Sequence, residues 1–259
     1  MPATRTRSLF LVSTAFLALS IALIPVWLFN QPLFRLLNGL HTPLTDIMWL
    51  ALTTLGDGLI LAIIVGAFLL ANPRTTVMGL VLMLFASVLV NTVKLLVPTL
   101  RPVSLLDAVH VLGPLLRSGA FPSGHTASSM AAALSIAYFA KSRAAALGVI
   151  LVGVLISVSR IFVGAHFPRD IIGGMLCAVG LFVIFTSLVW PSLEPHIPDR
   201  PDFARPAFRI LLCAEIGAIL YALFIHAPYY AEWSVAAWAE AGSAALFLAV
   251  QSYRCCRGK

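Results

Sequence analysis

Long apolar runs, broken by short polar interruptions, set the pattern of this chain. The runs fall at about 8–29, 50–71, 77–97, 124–140, 144–162, 170–190 and 209–226, with a weaker eighth at about 234–249. About 20 consecutive apolar residues suffice to carry a helix across a bilayer, so each run predicts a transmembrane helix. The fold expected is an all-α integral membrane protein in three parts. Residues 1–190 form a six-span body. The Pro-rich stretch PSLEPHIPDRPDFARPAF, 191–208, is an exposed cytoplasmic linker, and 209–259 is a two-span extension with a basic tail. The first run is too long for a signal-peptide core and lacks a small-residue cleavage site, which predicts a retained anchor. Between the first and second runs lies an amphipathic connector with Arg35 and Asp46, and Asn72 to Thr76 reads as a tight turn.

Composition fixes the solvent. Hydrophobic residues make up 60% of the 259 and charged residues only 10%, which is far from a soluble domain. The net charge of +7 comes from basic residues scattered at the ends of apolar runs, a membrane habit that argues against nucleic acid as a partner. With the N-terminus in the cytoplasm, Arg5, Arg7, Arg74, Lys141, Arg143, Arg200, Arg205, Arg209, Arg254, Arg257 and Lys259 fall inside. Arg35, Lys94, Arg101, Arg117, Arg160 and Arg169 fall outside. Cytoplasmic loops hold the excess of Lys and Arg, so this layout predicts cytoplasmic termini. Tyr229, Tyr230, Trp233 and Trp238 read as an aromatic belt, and Glu215 and Glu240 as lone packing carboxylates. Cys177, Cys213, Cys255 and Cys256 show neither metal-ligand spacing nor a paired framework.

Three polar patches stand at the outer ends of successive spans: KLLVPTLRP from Lys94 to Pro102, FPSGH from Phe121 to His125, and SRIFVGAHFPRD from Ser159 to Asp170. Charge at a membrane boundary is costly and invites a functional reading. His166 and Asp170 are four residues apart, with Pro168 suited to the first turn of a helix, so the carboxylate reaches the imidazole. An Asp accepting from one ring nitrogen leaves the other neutral and nucleophilic. Spans four and six point their N-termini outward, and Ser123 and Gly124 at the start of span four suit donation to phosphate oxygens. Lys94 and Arg160 stand at helix C-termini, which favour cations. With Arg101 they can neutralise the oxygens of a phosphoryl group, while His125 is free to protonate a leaving oxygen. No carboxylate cluster is present to hold a metal; the outer acids Asp46, Asp57, Asp107, Glu232 and Glu240 are dispersed. Singly, each residue has a plainer reading: Lys94, Arg160 and Arg169 as snorkelling end residues, Ser123 and Gly124 as an ordinary cap, His125 and His166 as polar tips.

In order, KxxxxxxRP, PSGH and SRxxxxxHxxxD resemble the three-part signature of the type 2 phosphatidic acid phosphatase superfamily, with no signature position departing from it between Lys94 and Asp170. The resemblance implies a metal-free phosphatase acting through a phosphohistidine, with no cofactor. It implies His166 as nucleophile, Asp170 as its orienting partner, His125 as general acid, and Lys94, Arg101, Ser123, Gly124 and Arg160 as the phosphate-binding set.

The expectation is therefore a lipid phosphatase of a bacterial inner membrane with its site on the periplasmic or extracellular face, and no signature of a particular oligomeric state. Undecaprenyl diphosphate ranks first as substrate, then phosphatidylglycerol phosphate, then lipid A phosphates. The loop from Val103 to Ala120 is apolar, so substrate could arrive sideways. Asp57, in a Gly-Asp-Gly break, either reaches a headgroup or assists the site, or else caps a helix or packs locally. His110 and Arg117 either bind a second phosphate or headgroup or edge the interface. Two rival activities stay open: transfer of the phosphoryl group to an acceptor lipid, and transport of an anion or lipid.

Overall fold

The computed structural model describes residues 2–222, with side chains from Val12 onward. The predicted eighth span, the aromatic belt, Glu232, Glu240, Cys255, Cys256 and the end of the seventh span lie outside the described residues, as do the side chains of Arg5 and Arg7.

The described chain is helical. Its elements are α1 (Pro2–Leu28), α2 (Asn30–Asn38), α3 (Pro43–Leu55), α4 (Gly58–Gly66, ending in a 3-10 turn at Ala67–Leu70), α5 (Pro73–Leu96), a single turn α6 (Pro102–Leu105), α7 (Gly124–Tyr138), α8 (Arg143–Phe162), α9 (Pro168–Ile184, running through a π-turn at Phe185–Val189), α10 (Trp190–Leu193) and α11 (Pro206–Tyr221). Among the described residues, three helices are long and apolar enough to cross a membrane, or up to five if each of two bent pairs is one span.

The helix starts are written locally. Proline at the first position suits Pro43, Pro73 and Pro168, because the missing N–H has no intrahelical partner there anyway. Side-chain caps come from Thr42, Asp57, Asn72, Ser123 and Ser142.

Several boundaries differ from the sequence expectation. The second span begins at Pro43, which puts Asp46 in the first turn of α3 instead of in a connector, and it bends by 65° between α3 and α4. The Gly56-Asp57-Gly58 break causes the bend, since Asp57 ends one helix and caps the next. The connector reduces to α2, set at 86° to α1. Asn72 is the cap of α5 rather than part of a longer turn, and the Pro-rich linker begins as helix, up to His196.

The fourth predicted span corresponds to α7, which at 15 residues is shorter than the three helices counted above. It is the central helix, packed by α5, α8 and α9. Small residues let the neighbours come close: a Cβ on Gly153 would stand 2.9 Å from that of Ala133, and one on Gly174 would stand 2.6 Å from the carbonyl oxygen of Ser123. Gly173 lies under the Phe121 ring, so α9 holds the turn that launches α7. Glu215 on α11 is buried against Gly66, which has no side chain to exclude it.

Candidate active site

The ends of α5, α7, α8 and α9 meet on one side of the bundle around a cavity of about 190 Å³. Its wall includes Lys94, Arg101, Gly124, His125, Arg160 and His166. Patches separated by as many as 72 residues of chain thus share one space.

His166 owes its position to the end of α8. Gly164 adopts φ +74°, a left-handed conformation that glycine enters without strain, and the N–H groups of Ala165 and His166 turn back to the Arg160 carbonyl at 3.0 and 3.1 Å. A side chain at Gly164 would collide with the carbonyl of His110. The His166 ring is buried, with Nδ1 at 3.4 Å from Asp170 Oδ2 and Nε2 at 3.2 Å from Arg101 Nη1. A guanidinium only donates, so Nε2 is the acceptor nitrogen and Nδ1 carries the proton toward Asp170. Burial, then the charges of Arg101, Arg160 and Lys94, hold the His166 imidazole well below its ordinary pKa, so the ring is neutral at pH 7.

Asp170 does two jobs from the third position of α9. Its Oδ2 accepts the N–H of Phe167 at 2.9 Å, closing the helix start, and faces His166. Its other oxygen lies 3.6 Å from Arg169 Nε, an ion pair too long for a hydrogen bond. Arg169 itself is no snorkelling residue. Its guanidinium sits 4.6 Å over the Trp27 ring and 5.6 Å from that of Phe167, and the Arg169 backbone N–H donates to Asn30 Oδ1.

Arg101 is held by three carbonyls: Nε donates to Ser118 at 2.9 Å, Nη1 to Ala165 at 3.1 Å and Nη2 to Gly119 at 3.4 Å. Arg160, buried at the end of α8, donates to the Thr53 hydroxyl from the bent second span. At the start of α7, Ser123 accepts the Thr126 N–H at 3.4 Å, and its own N–H goes to the Asp170 carbonyl at 2.9 Å. Fully buried, Ser123 stands behind the cavity wall as a cap. The N–H groups of Gly124 and His125 have no backbone acceptor among the described residues and stand at the positive end of α7.

Three further expected residues are not among the wall residues, although Asp57 stands between Gly56 and Gly58, which line the cavity. Asp57 accepts the N–H groups of Leu59 and Ile60 at 2.9 and 3.4 Å as the cap of α4. The Arg117 side chain is exposed, and its carbonyl accepts from the Arg101 N–H and the Ser104 hydroxyl. His110 lines a separate cavity with Asn38 and His41. There Asp46 Oδ2, the one carboxylate of the group, lies 3.0 Å from His110 Nε2, and the His110 ring stacks on His41 at 3.8 Å. The ligand atoms of these three lie within 4.8 Å of one another. The two rings are only 7° from parallel, and the Asp46–His110 contact ties α3 to the loop after α6.

Sequence reasoning missed Asn38, which donates to the carbonyls of His110, Ile161 and Phe162 at 2.9, 3.2 and 3.1 Å and so satisfies the end of α8. It also missed Thr53, Ser87, Asn91 and Ser128. The available signal was a polar residue in an otherwise apolar run.

The family model of the PAP2 superfamily matches residues 76–194, which contain every residue of the cavity wall named above. An undecaprenyl-diphosphatase of Sulfolobus acidocaldarius is 31% identical over 170 residues, 64% of this chain and 81% of that protein. The undecaprenyl-diphosphatase BcrC of Bacillus subtilis is 27% identical over 172 residues, 64% of this chain and 88% of that protein. In the crystal structure of Aquifex aeolicus LpxE, 28% identical, the match covers 61% of this chain and 95% of that one with a TM-score of 0.58. A transmembrane PAP2-type phosphatidylglycerolphosphate phosphatase from Bacillus subtilis, 24% identical, has the same fold at a TM-score of 0.54, over 70% of this chain and 93% of its own. Sequence signature, helix arrangement and the convergence of distant patches on one cavity agree, and the chain belongs to the PAP2 superfamily.

Proposed function

We propose that this chain is a metal-independent lipid phosphatase that hydrolyses a phosphate or diphosphate monoester on a lipid through a phosphohistidine intermediate. The observation that carries this reading is the sharing of one cavity by three cations, Lys94, Arg101 and Arg160, and two imidazoles, His125 and His166. In the proposed reaction, His166 Nε2 attacks phosphorus while Asp170 holds the proton-bearing Nδ1 side. The bond from phosphorus to the lipid oxygen breaks, and His125 protonates that oxygen. Water then attacks the phosphohistidine, returns a proton to His125 and releases phosphate. The cations and the amides at the start of α7 stabilise charge on the phosphoryl oxygens, the role a metal fills elsewhere. Ser123 supports the start of α7 from behind.

Undecaprenyl diphosphate comes first among substrates, since two relatives carry the name undecaprenyl-diphosphatase. Phosphatidylglycerol phosphate and lipid A phosphates follow. The distribution of Lys and Arg supports a site on the outer face of a bacterial inner membrane, with six core spans, two C-terminal spans and both termini in the cytoplasm.

The test is phosphate release from short-chain lipid phosphates by purified protein in detergent and excess chelator. Wild-type protein turns over, and His166→Ala loses several orders of magnitude, as for removal of a covalent nucleophile. Unchanged release by His166→Ala would overturn the mechanism, and a chelator-sensitive rate would overturn its metal independence.

A further inference from the structure

The cavity extends beyond the cations and histidines into the bundle. Its wall includes Ser87 and Asn91 on α5 and Ser128 on α7. Lys94 stands near the end of α5, so Asn91 lies about one helical turn and Ser87 about two turns deeper along it. Gly124 and His125 open α7, so Ser128 lies one turn deeper on the His125 face. All three therefore occupy the same side of the site, toward the middle of the spans.

Polar groups at that depth are expensive unless they meet a partner. Asn91 Nδ2 and Ser87 Oγ, 3.4 Å apart, form only a stretched pair, and both residues are exposed on a helix otherwise long and apolar enough to cross a membrane. The wall also includes Gly56 and Gly58, and a Cβ added to Gly58 would meet nothing within 4 Å. Room and hydrogen-bond donors coincide.

We infer that Ser87, Asn91 and Ser128 form a second subsite that holds the proximal phosphate of a lipid diphosphate, with its apolar chain leaving the cavity toward the bilayer. This inference rests on the lipid phosphatase reading and narrows it. His125 protonates the leaving oxygen, so the leaving group lies on its side, and the wall continues from His125 to Ser128. In a diphosphate, the bond between the distal phosphorus and the bridging oxygen breaks. The distal phosphoryl group goes to His166, and the bridging oxygen takes its proton from His125 and departs on a lipid monophosphate.

Charge supports the same class. Fully ionised, a lipid diphosphate carries two negative charges on the distal phosphate and one on the proximal phosphate, matching Lys94, Arg101 and Arg160. Neutral amide and hydroxyl donors suit the singly charged proximal group, whereas a carboxylate there would repel it.

The experiment compares a prenyl diphosphate with the prenyl monophosphate of the same chain length, in detergent micelles, for wild type, Asn91→Asp and the Ser87→Ala/Ser128→Ala double variant. The readout is the ratio of kcat/KM for diphosphate over monophosphate. Hydrogen bonds to charged groups are strong enough that losing one lowers this ratio by about tenfold or more, and Asn91→Asp, isosteric but charged, lowers it furthest. Monophosphate turnover reports folding in the same preparations. An unchanged ratio, or a wild type that cleaves only monophosphates, would overturn the subsite while leaving the phosphatase reading intact. A wild type that cleaves neither substrate would instead sink the phosphatase reading.

Discussion

Arg101 Nη1 lies 3.2 Å from His166 Nε2, on the nitrogen the proposed reaction uses as nucleophile. Three more of the five N–H donors of this guanidinium are tied to the carbonyls of Ser118, Ala165 and Gly119, so its plane is fixed by backbone from two loops and one Nη2 N–H is left for a phosphoryl oxygen. A cation held against the attacking nitrogen keeps the ring unprotonated and marks where phosphoryl oxygens will sit.

Arg101→Lys tests that geometry. Lysine preserves the charge but offers a compact ammonium in place of a planar fork, so it cannot serve three carbonyls and a phosphate together. The expected result is a fall in kcat of about 10²-fold, the scale found for losing one preorganised donor to a developing anion. Steady-state kinetics with phosphate release read it directly.

The pH profile follows from the depressed pKa of His166. The neutral ring is the active form, and acid removes it. Because burial and three cations hold the pKa below 6.5, the limb of log kcat/KM governed by this ring lies on the acid side of the ordinary histidine range. Removing one cation in Arg101→Met raises the pKa, so the limb moves to higher pH. Comparing both proteins on one substrate cancels the substrate's own ionisation.

Asp170→Asn separates orientation from capping. The Asn oxygen can still accept the Phe167 N–H now bound at 2.9 Å, so helix α9 keeps its start. The carboxylate that selects the His166 tautomer is lost, and kcat is expected to fall by about 10³- to 10⁴-fold with little change in thermal unfolding, in line with loss of the orienting acid elsewhere. Asp170→Ala also removes the cap, at about 1 kcal/mol, and lowers the unfolding temperature further.

Gly174→Val probes the backbone contact behind the site. Even a Cβ would stand 2.6 Å from the Ser123 carbonyl and 2.8 Å from Thr126 Cβ, and backbone cannot yield as a side-chain tip can. Overpacking of this kind costs about 1–3 kcal/mol. The variant is expected to unfold earlier in detergent and to lose activity, because α9 would be pushed away from the start of α7. Gly148→Ala, where a Cβ meets nothing within 4 Å, serves as the control and leaves the unfolding temperature within about the ±0.5 kcal/mol range of neutral surface changes.

How much was legible follows from the range of the signals. The helix starts at Pro73, Gly124 and Pro168, and the pairing of His166 with Asp170 four residues on, depend on neighbours in the chain. The fourth run, about 124–140, matches α7, Gly124–Tyr138, to within two residues, because its cap and its apolar stretch are both local signals. The bend at Asp57 was visible as a Gly-Asp-Gly break, but only the tertiary structure shows Asp57 capping α4 between two glycines that line the cavity.

By itself, the sequence determined that the chain is helical and rich in membrane-length apolar runs, where many of its helices begin, and which polar patches interrupt those runs, because periodicity, capping and residue type act over a few positions. Tertiary structure alone decided that Arg101 meets His166, that Arg169 lies over Trp27, that Asn38 closes α8, that His41, Asp46 and His110 assemble, and that Ser87, Asn91 and Ser128 line the cavity. Those pairings depend on how closely α5, α7, α8 and α9 pack, and that distance is set by small side chains, Gly153 and Gly174, facing neighbours far away in the chain.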